Sequence, residues 1–332
     1  MSAQTSLAPL LERFFTQRLM TQRQVSHHTI ASYRDTFRLF LQFAHERKKK
    51  APCELTFSDI DVDLIEAFLA DLENGRGICA RSRNLRLSAI RSFFRYAAYH
   101  EPAHVARIQQ ILVIPAKRHD RALVGFLSRP EVEALLAAPD LRTWNGRRDH
   151  ALLWVAFQTG MRLSELTGLR RSDVELSTGA HVRCLGKGRK ERCTPLTSQT
   201  VKVLKAWIEE PMRGSSDRLF PTVHGQRLSA DAVQYLFAKY TAIAREGCVS
   251  LRKKHVTPHM ARHTAAMELL QAGVDLTVIA LWLGHESTKT TQVYLDANLA
   301  LKETALAKTT PLAGRRGRFR PDDRMIQFLN NL

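Results

Sequence analysis

The sequence predicts a mainly α-helical protein with a small β-hairpin or sheet, built as two domains. Three observations carry that expectation. Apolar residues recur at helical spacing along most of the chain, two short runs around a glycine-bearing turn read as strands, and the helical pattern lapses once, near residues 111–125. The 332 residues are 44% hydrophobic and 25% charged, a globular composition with enough chain for two ordinary cores.

Through residues 1–112, a period of roughly 3.6 predicts helices over 7–20, 29–46, 62–73 and 82–99, with no strand pattern between them. In the second, Tyr33, Phe37, Phe40, Leu41 and Ala44 share one stripe, while Arg34, Arg38 and Arg47 lie off it. These make a four-helix first domain. Residues 113–125 follow as a basic linker, where Pro115 blocks a helix and Lys117, Arg118 and Arg121 keep the segment polar.

The second domain, 126–307, opens with helices over 129–138 and 147–158. Hairpin arms over 181–185 and 192–196 then flank Gly-Lys-Gly-Arg-Lys-Glu, whose glycines permit a tight connection. Helical spacing resumes over 230–240, 258–272 and 276–283. Residues 308–332 are a basic tether rich in Gly, Pro and Arg, after which Asp322 or Asp323 caps a short helix bearing Met325, Ile326, Phe328 and Leu329. Too small to fold alone, that helix is expected to dock on a neighbouring subunit.

Charge narrows the function. The chain has 50 Lys and Arg against 32 Asp and Glu, a formal +18, and the surplus is shared along it, with 18 basic against 11 acidic through residue 118 and 32 against 21 after. Such a balance points to a polyanionic partner touched by both domains. No apolar run approaches the roughly 18 residues of a membrane span, and the N-terminus lacks a secretory pattern, which argues against membrane and secreted readings. Cys53, Cys79, Cys184, Cys193 and Cys248 are scattered, with no Cys-x-x-Cys pair, so they read as ordinary reduced thiols.

Four segments hold the chemistry. In Thr-Pro-His-Met-Ala-Arg-His-Thr, Thr257 caps a helix that Pro258 begins, so His259 and Arg262 share its first turn, where free N–H groups also favour an anion. The rival reading, zinc on His255, His259 and His263, is weakened by the helix starting after His255 and by the absence of a Glu directly following His259. In Thr-Gly-Met-Arg-Leu-Ser-Glu-Leu, Arg162 beside an apolar run needs a partner, either Glu165 or a ligand phosphate. The hairpin turn supplies Lys187, Arg189, Lys190 and Arg192, and Leu-Gly-His followed nine residues later by Tyr supplies His285 and Tyr294.

Together these segments resemble one family, the tyrosine recombinases of the phage-integrase and Xer type. Residues 159–166 are similar to its Thr-Gly-x-Arg-x-Ser-Glu-Leu box, 186–192 to its Gly-Lys-Gly-x-Lys-x-Arg hairpin, and 258–264 to its Pro-His-x-x-Arg-His-Thr box. Residues 283–294 resemble its Leu-Gly-His with the later tyrosine. The likeness spans the second half; the helical first part matches only in length and character. Ala261 departs from the Leu usual between the His and Arg.

The resemblance implies a two-domain DNA clamp, with a helical core-binding domain and a mixed α/β catalytic domain. It implies catalytic roles for Arg162, Lys187, His259, Arg262, His285 and Tyr294, with no metal and no cofactor. Tyr294 would attack a phosphodiester to give a 3′-phosphotyrosine, the arginines would neutralise the developing charge, and Lys187 would protonate the leaving 5′ oxygen. His259 would take the phenolic proton or orient the phosphate, and His285 would add a hydrogen bond. Duplex contacts are expected from Arg81, Arg83, Arg86 and Arg91 on one helix, from Lys117 and Arg118 in the linker, and from Arg189 and Lys190. The expected assembly is a homotetramer on two DNA sites, or a mixed one with related recombinases, in the cytoplasm at the nucleoid. Alternatives are strand relaxation of the type IB topoisomerase kind and a non-catalytic DNA-binding subunit.

Overall fold

The computed structural model describes residues 6–120, 124–186, 191–211, 217–287 and 289–297. Lys187, Arg189, Lys190 and the expected terminal helix lie outside these residues. The chain divides into two compact units, residues 1–121 and 122–332.

The first unit is helical: α1 (Leu7–Arg13) continuing as a π-helix (Phe14–Gln22), α2 (His27–Lys48), α3 (Val62–Asn74), α4 (Ala80–His100) and α5 (Val105–Leu112). The unit thus has five helices rather than four, because α5 is too short for its apolar spacing to stand out. Ser26 and Asp61 cap α2 and α3 by accepting from the backbone N–H of Thr29 and Leu64. Buried phenylalanines build the core, with Phe93 5.5 Å from Phe14, 5.4 Å from Phe37 and 5.2 Å from Phe94. Each buried ring is worth about 1.5–3 kcal/mol against exposure.

Three of the α4 arginines expected at the duplex have partners within their own unit. Arg83 is buried and pairs with Glu73 at 3.5 Å. Arg86 donates to Thr36 Oγ1 at 3.0 Å and to the Ser32 carbonyl at 3.3 Å, and Arg91 donates to the Ile114 carbonyl. These three side chains lie along the packed faces of the helix, where a guanidinium must find an acceptor, so they hold their own unit together. Arg81 and Arg95 are the α4 arginines left exposed. In the linker Lys117 pairs with Glu73 at 2.6 Å while remaining half-exposed, and Arg118 is exposed.

The second unit begins with α6 (Arg129–Ala137), α7 (Trp144–Thr159) and the single turn α8 (Leu163–Leu166). A three-stranded antiparallel sheet follows in the order β1 (Val174–Glu175), β2 (His181–Leu185), β3 (Glu191–Pro195), with Val182 opposite Thr194 and Leu185 opposite Glu191. Strand β1, two residues long, leaves no legible alternation. Helices α9 (Ser198–Ile208), α10 (Ala230–Gly247), α11 (Pro258–Gln271), α12 (Leu276–Leu283) and α13 (Lys289–Ala297) complete the unit. The nearly all-buried α7 packs against both α9 and α11 and forms the centre of the core. Among the described residues no helix is long and apolar enough to cross a membrane.

Candidate active site

Two left-handed glycines bring the separate motifs together. Gly160 ends α7 at φ 62° and Gly284 ends α12 at φ 65°, a conformation that only glycine adopts freely. A Cβ on Gly160 would lie 2.8 Å from Leu283, and one on Gly284 2.8 Å from Arg192, so both positions also need the missing side chain. Their carbonyls are then tied crosswise. Arg262 donates to the Gly160 carbonyl at 2.8 Å and to Leu283 at 2.7 Å, while Arg162 donates to Gly284 at 2.7 Å. Each arginine is thereby fixed by backbone belonging to another motif.

Arg162 sits at the N-cap of α8, where Glu165 completes a capping box by accepting its backbone N–H at 2.7 Å. The same carboxylate accepts from the Arg162 guanidinium at 3.0 Å and from both terminal nitrogens of Arg192 at 3.0 and 2.7 Å. Arg192 also donates from Nε to the Trp282 carbonyl at 3.1 Å. Strand β3 is so joined to α8 and α12.

Helix α11 starts as expected, with Thr257 accepting from the Met260 N–H and Pro258 in the first turn, so His255 lies before the helix. His259 is exposed and Arg262 only 4% exposed. Burial, followed by the charge of Arg162, lowers the Arg262 guanidinium to about 10, which still leaves it cationic at neutral pH. His285 follows Gly284 and shares a 2.8 Å hydrogen bond with Thr291. Burial, helped by the charges of Arg262 and Arg162, brings its imidazole down to about 4. Arg162, His259, Arg262 and His285 line one cleft of about 470 Å³, with Met161, Pro258 and Thr290 in its walls.

Tyr294 comes to the same region on α13 but does not line the cleft. It is 2% exposed, packed with Ala266, Met267, Leu270, Ile279 and Leu283. Its hydroxyl lies 3.0 Å from Nδ1 of His263, and the His285 ring stacks on its own at 6.5 Å and 12°. Burial holds the phenol above its ordinary 10.0, against the opposing charge of Arg262.

The structure thus gathers five of the six residues singled out for chemistry; the sixth, Lys187, lies outside the described residues. Three neighbours, Arg192, His263 and Thr291, stand outside the catalytic set of the sequence reading. His263 had a legible signal, one helical turn after His259 on the same face.

This constellation can bind a phosphate between two arginines, with a tyrosine seated beside the cleft. Comparison with known proteins gives the family. The Phage integrase family matches residues 125–300, and the Phage integrase N-terminal SAM-like domain matches residues 11–101. An integrase/recombinase of Sinorhizobium fredii is 62% identical over the full length of both chains. Tyrosine recombinase XerC of Pelobacter propionicus is 35% identical, covering 88% of this chain and 93% of its own. In fold, the chain is similar to the XerH site-specific recombinase bound to a palindromic difH substrate, with a TM-score of 0.66 at 22% identity over 86% of this chain and 81% of that one. The chain belongs to the phage integrase family of tyrosine recombinases, enzymes that cut and rejoin DNA in site-specific recombination.

Proposed function

We propose that Tyr294 is the nucleophile of this recombinase, attacking a DNA phosphodiester held between Arg162 and Arg262 to form a 3′-phosphotyrosine and a free 5′-hydroxyl. The observation that carries the reading is the shared cleft, where two crosswise-tied arginines and two histidines converge beside a seated tyrosine. Each guanidinium spends part of its N–H fork on backbone carbonyls and keeps further donors for non-bridging oxygens. Preorganised in this way, the donors need no rearrangement as charge builds on phosphorus. His285, held neutral by its surroundings, serves as a hydrogen-bond donor to the phosphate, and the exposed His259 orients it or accepts a proton. Lys187, on the hairpin turn, supplies the proton for the leaving 5′ oxygen. No bond energy is lost in the exchange of one phosphodiester for another, so no ATP enters the scheme.

The first unit is the core-binding domain in this reading and the second the catalytic domain. Arg81, Lys117, Arg118, Arg189 and Lys190 contact duplex phosphates, with affinity falling steeply with salt. The substrate places the enzyme in the cytoplasm at the nucleoid. Protomers assemble as tetramers on two sites, alone or with related recombinases. An apolar groove of about 560 Å³ beside α6 and α7 supports such assembly. In it Nε1 of Trp154 and Oε1 of Gln158, one turn apart on α7, are buried without hydrogen-bond partners. Met325, Ile326, Phe328 and Leu329 of a neighbour have the chemistry to fill it.

Covalent trapping tests the proposal. Nicked suicide duplexes drawn from the DNA flanking the gene are incubated with wild type and Tyr294→Phe, without metal or ATP. A denaturation-resistant adduct through a 3′-phosphate with wild type alone is the expected result. Equal adducts from both proteins would overturn the assignment of Tyr294. Relaxation of supercoils by isolated protomers without site preference would favour the topoisomerase reading, and biological activity surviving Tyr294→Phe would favour the non-catalytic subunit.

A further inference from the structure

The cleft and the tyrosine are adjacent but separate. Arg162, His259, Arg262 and His285 form the walls of the cleft, whereas the Tyr294 hydroxyl points away into a 3.0 Å contact with Nδ1 of His263. His263 is a turn further along α11 than His259, with the two rings 4.1 Å apart and the His263 ring edge-on to Tyr294 at 5.6 Å. A buried phenol needs an acceptor, and His263 is the hydrogen-bond partner of Tyr294 among the described residues. An imidazole can accept at Nδ1 only when that nitrogen carries no proton. Burial, then the charges of His259 and Arg262, bring His263 down to about 4, so the ring is neutral at physiological pH, and in its Nε2–H tautomer the free Nδ1 accepts from the phenol.

We infer that His263 is a positioning residue that seats Tyr294 out of the cleft, and that breaking the His263–Tyr294 hydrogen bond is part of the barrier to covalent attack. The inference rests on the proposed role of Tyr294 as nucleophile. Its value to a recombinase is specific. A protomer with its tyrosine seated binds DNA without nicking it, and release of α13 can await the assembled partner site. The ring stacked from the other side, His285, bonds to Thr291 on α13 itself, so the histidine that lines the cleft and the helix that bears the nucleophile are in contact. Phosphate arriving against His285 therefore has a direct physical route to the tyrosine helix.

The test uses the full-length protein with the suicide duplex, comparing wild type, His263→Ala, His263→Asn and Tyr294→Phe. The Asn amide oxygen reaches nearly the position of Nδ1 and restores an acceptor. A hydrogen bond of ordinary net strength sets the scale, so His263→Ala should form adduct roughly 3- to 10-fold faster than wild type at equal DNA occupancy, with His263→Asn close to wild type. A second readout is independent of catalysis: nitration of tyrosines by tetranitromethane in the DNA-free protein, mapped by mass spectrometry. Tyr99 and Tyr235, 87% and 68% exposed, react in every variant and serve as internal standards. Tyr294 is protected in wild type and His263→Asn and reactive in His263→Ala. Slower adduct formation in the Ala variant with normal duplex binding, or unchanged rate and unchanged nitration, overturns the inference. Adduct from Tyr294→Phe would instead overturn the nucleophile assignment on which it rests, so the two failures are told apart.

Discussion

Replacing Glu165 by Gln probes the joint on which the arginine geometry depends. Its side chain is 4% exposed and accepts four hydrogen bonds, two from Arg192 at 3.0 and 2.7 Å, one from the Arg162 guanidinium at 3.0 Å and one from the Arg162 backbone at 2.7 Å. The Gln variant keeps the shape, removes the charge and turns one acceptor into an NH2 facing a guanidinium. Arg192, whose side chain is 10% exposed, then becomes a buried cation without a counter-ion, a change costing about 3–5 kcal/mol. At roughly 2–4 °C per kcal/mol for a domain of ~200 residues, the unfolding midpoint of the second unit falls by about 6–20 °C. The assay is thermal unfolding by circular dichroism on wild type, Glu165→Gln, Arg192→Met and the double variant. Removing both charges together recovers much of the loss, so the cycle is strongly non-additive.

The pH dependence follows from the same bonds. Burial alone would raise the Glu165 carboxyl, but the bonds from Arg192 and Arg162 outweigh it and hold the group below its ordinary 4.5. A carboxylate depressed by folding adds stability above its unfolded value and loses it as pH falls through the folded one. The midpoint gap between wild type and Glu165→Gln is therefore constant above about pH 5 and closes at lower pH. A gap under about 2 °C at neutral pH, or an additive double variant, would refute the reasoning.

The two classes of arginine on α4 separate in binding and stability. Arg81→Ala and Arg95→Ala weaken duplex binding and each reduce the slope of log affinity against log salt by about 1, leaving the thermal midpoint in place. Arg83→Ala costs about 1–3 kcal/mol of stability through the loss of the Glu73 pair, with a far smaller effect on the salt slope; fluorescence anisotropy against circular dichroism distinguishes them. Deletion of residues 322–332 spares cleavage of a single suicide site and abolishes synapsis of two sites in native gels, and Trp154→Arg in the groove reproduces that phenotype. Unchanged synapsis in either variant counts against docking there.

The candidate site was legible wherever its parts are local. Thr257 and Pro258 announce the start of α11, and so the shared turn of His259 and Arg262, because a cap and a fixed φ act within a few residues. The left-handed stop at Gly284 likewise marks His285. Most elements that escaped the sequence reading are short or polar: α5 has eight residues, β1 has two, and α13 starts in the Thr-rich run before Tyr294; α9, eleven residues capped by Thr197, escaped although it is neither. The partners of the α4 arginines were hidden for another reason. Residue type records a charge, but only the packing of α4 against α2 and α3 reveals that Arg83 and Arg86 point inward to Glu73 and Thr36.

By itself, then, the sequence determined which groups are available, in what order and on which turn of which helix, since propensity, capping and periodicity are short-range effects. Tertiary structure decided how those groups are held. The crosswise bonds from Arg162 to Gly284 and from Arg262 to Gly160 join residues 122 and 102 positions apart, and the bond that seats Tyr294 joins it to His263 across 31. Contacts at such separations depend on how α7, α11, α12 and α13 bury their apolar faces together, which no local pattern records.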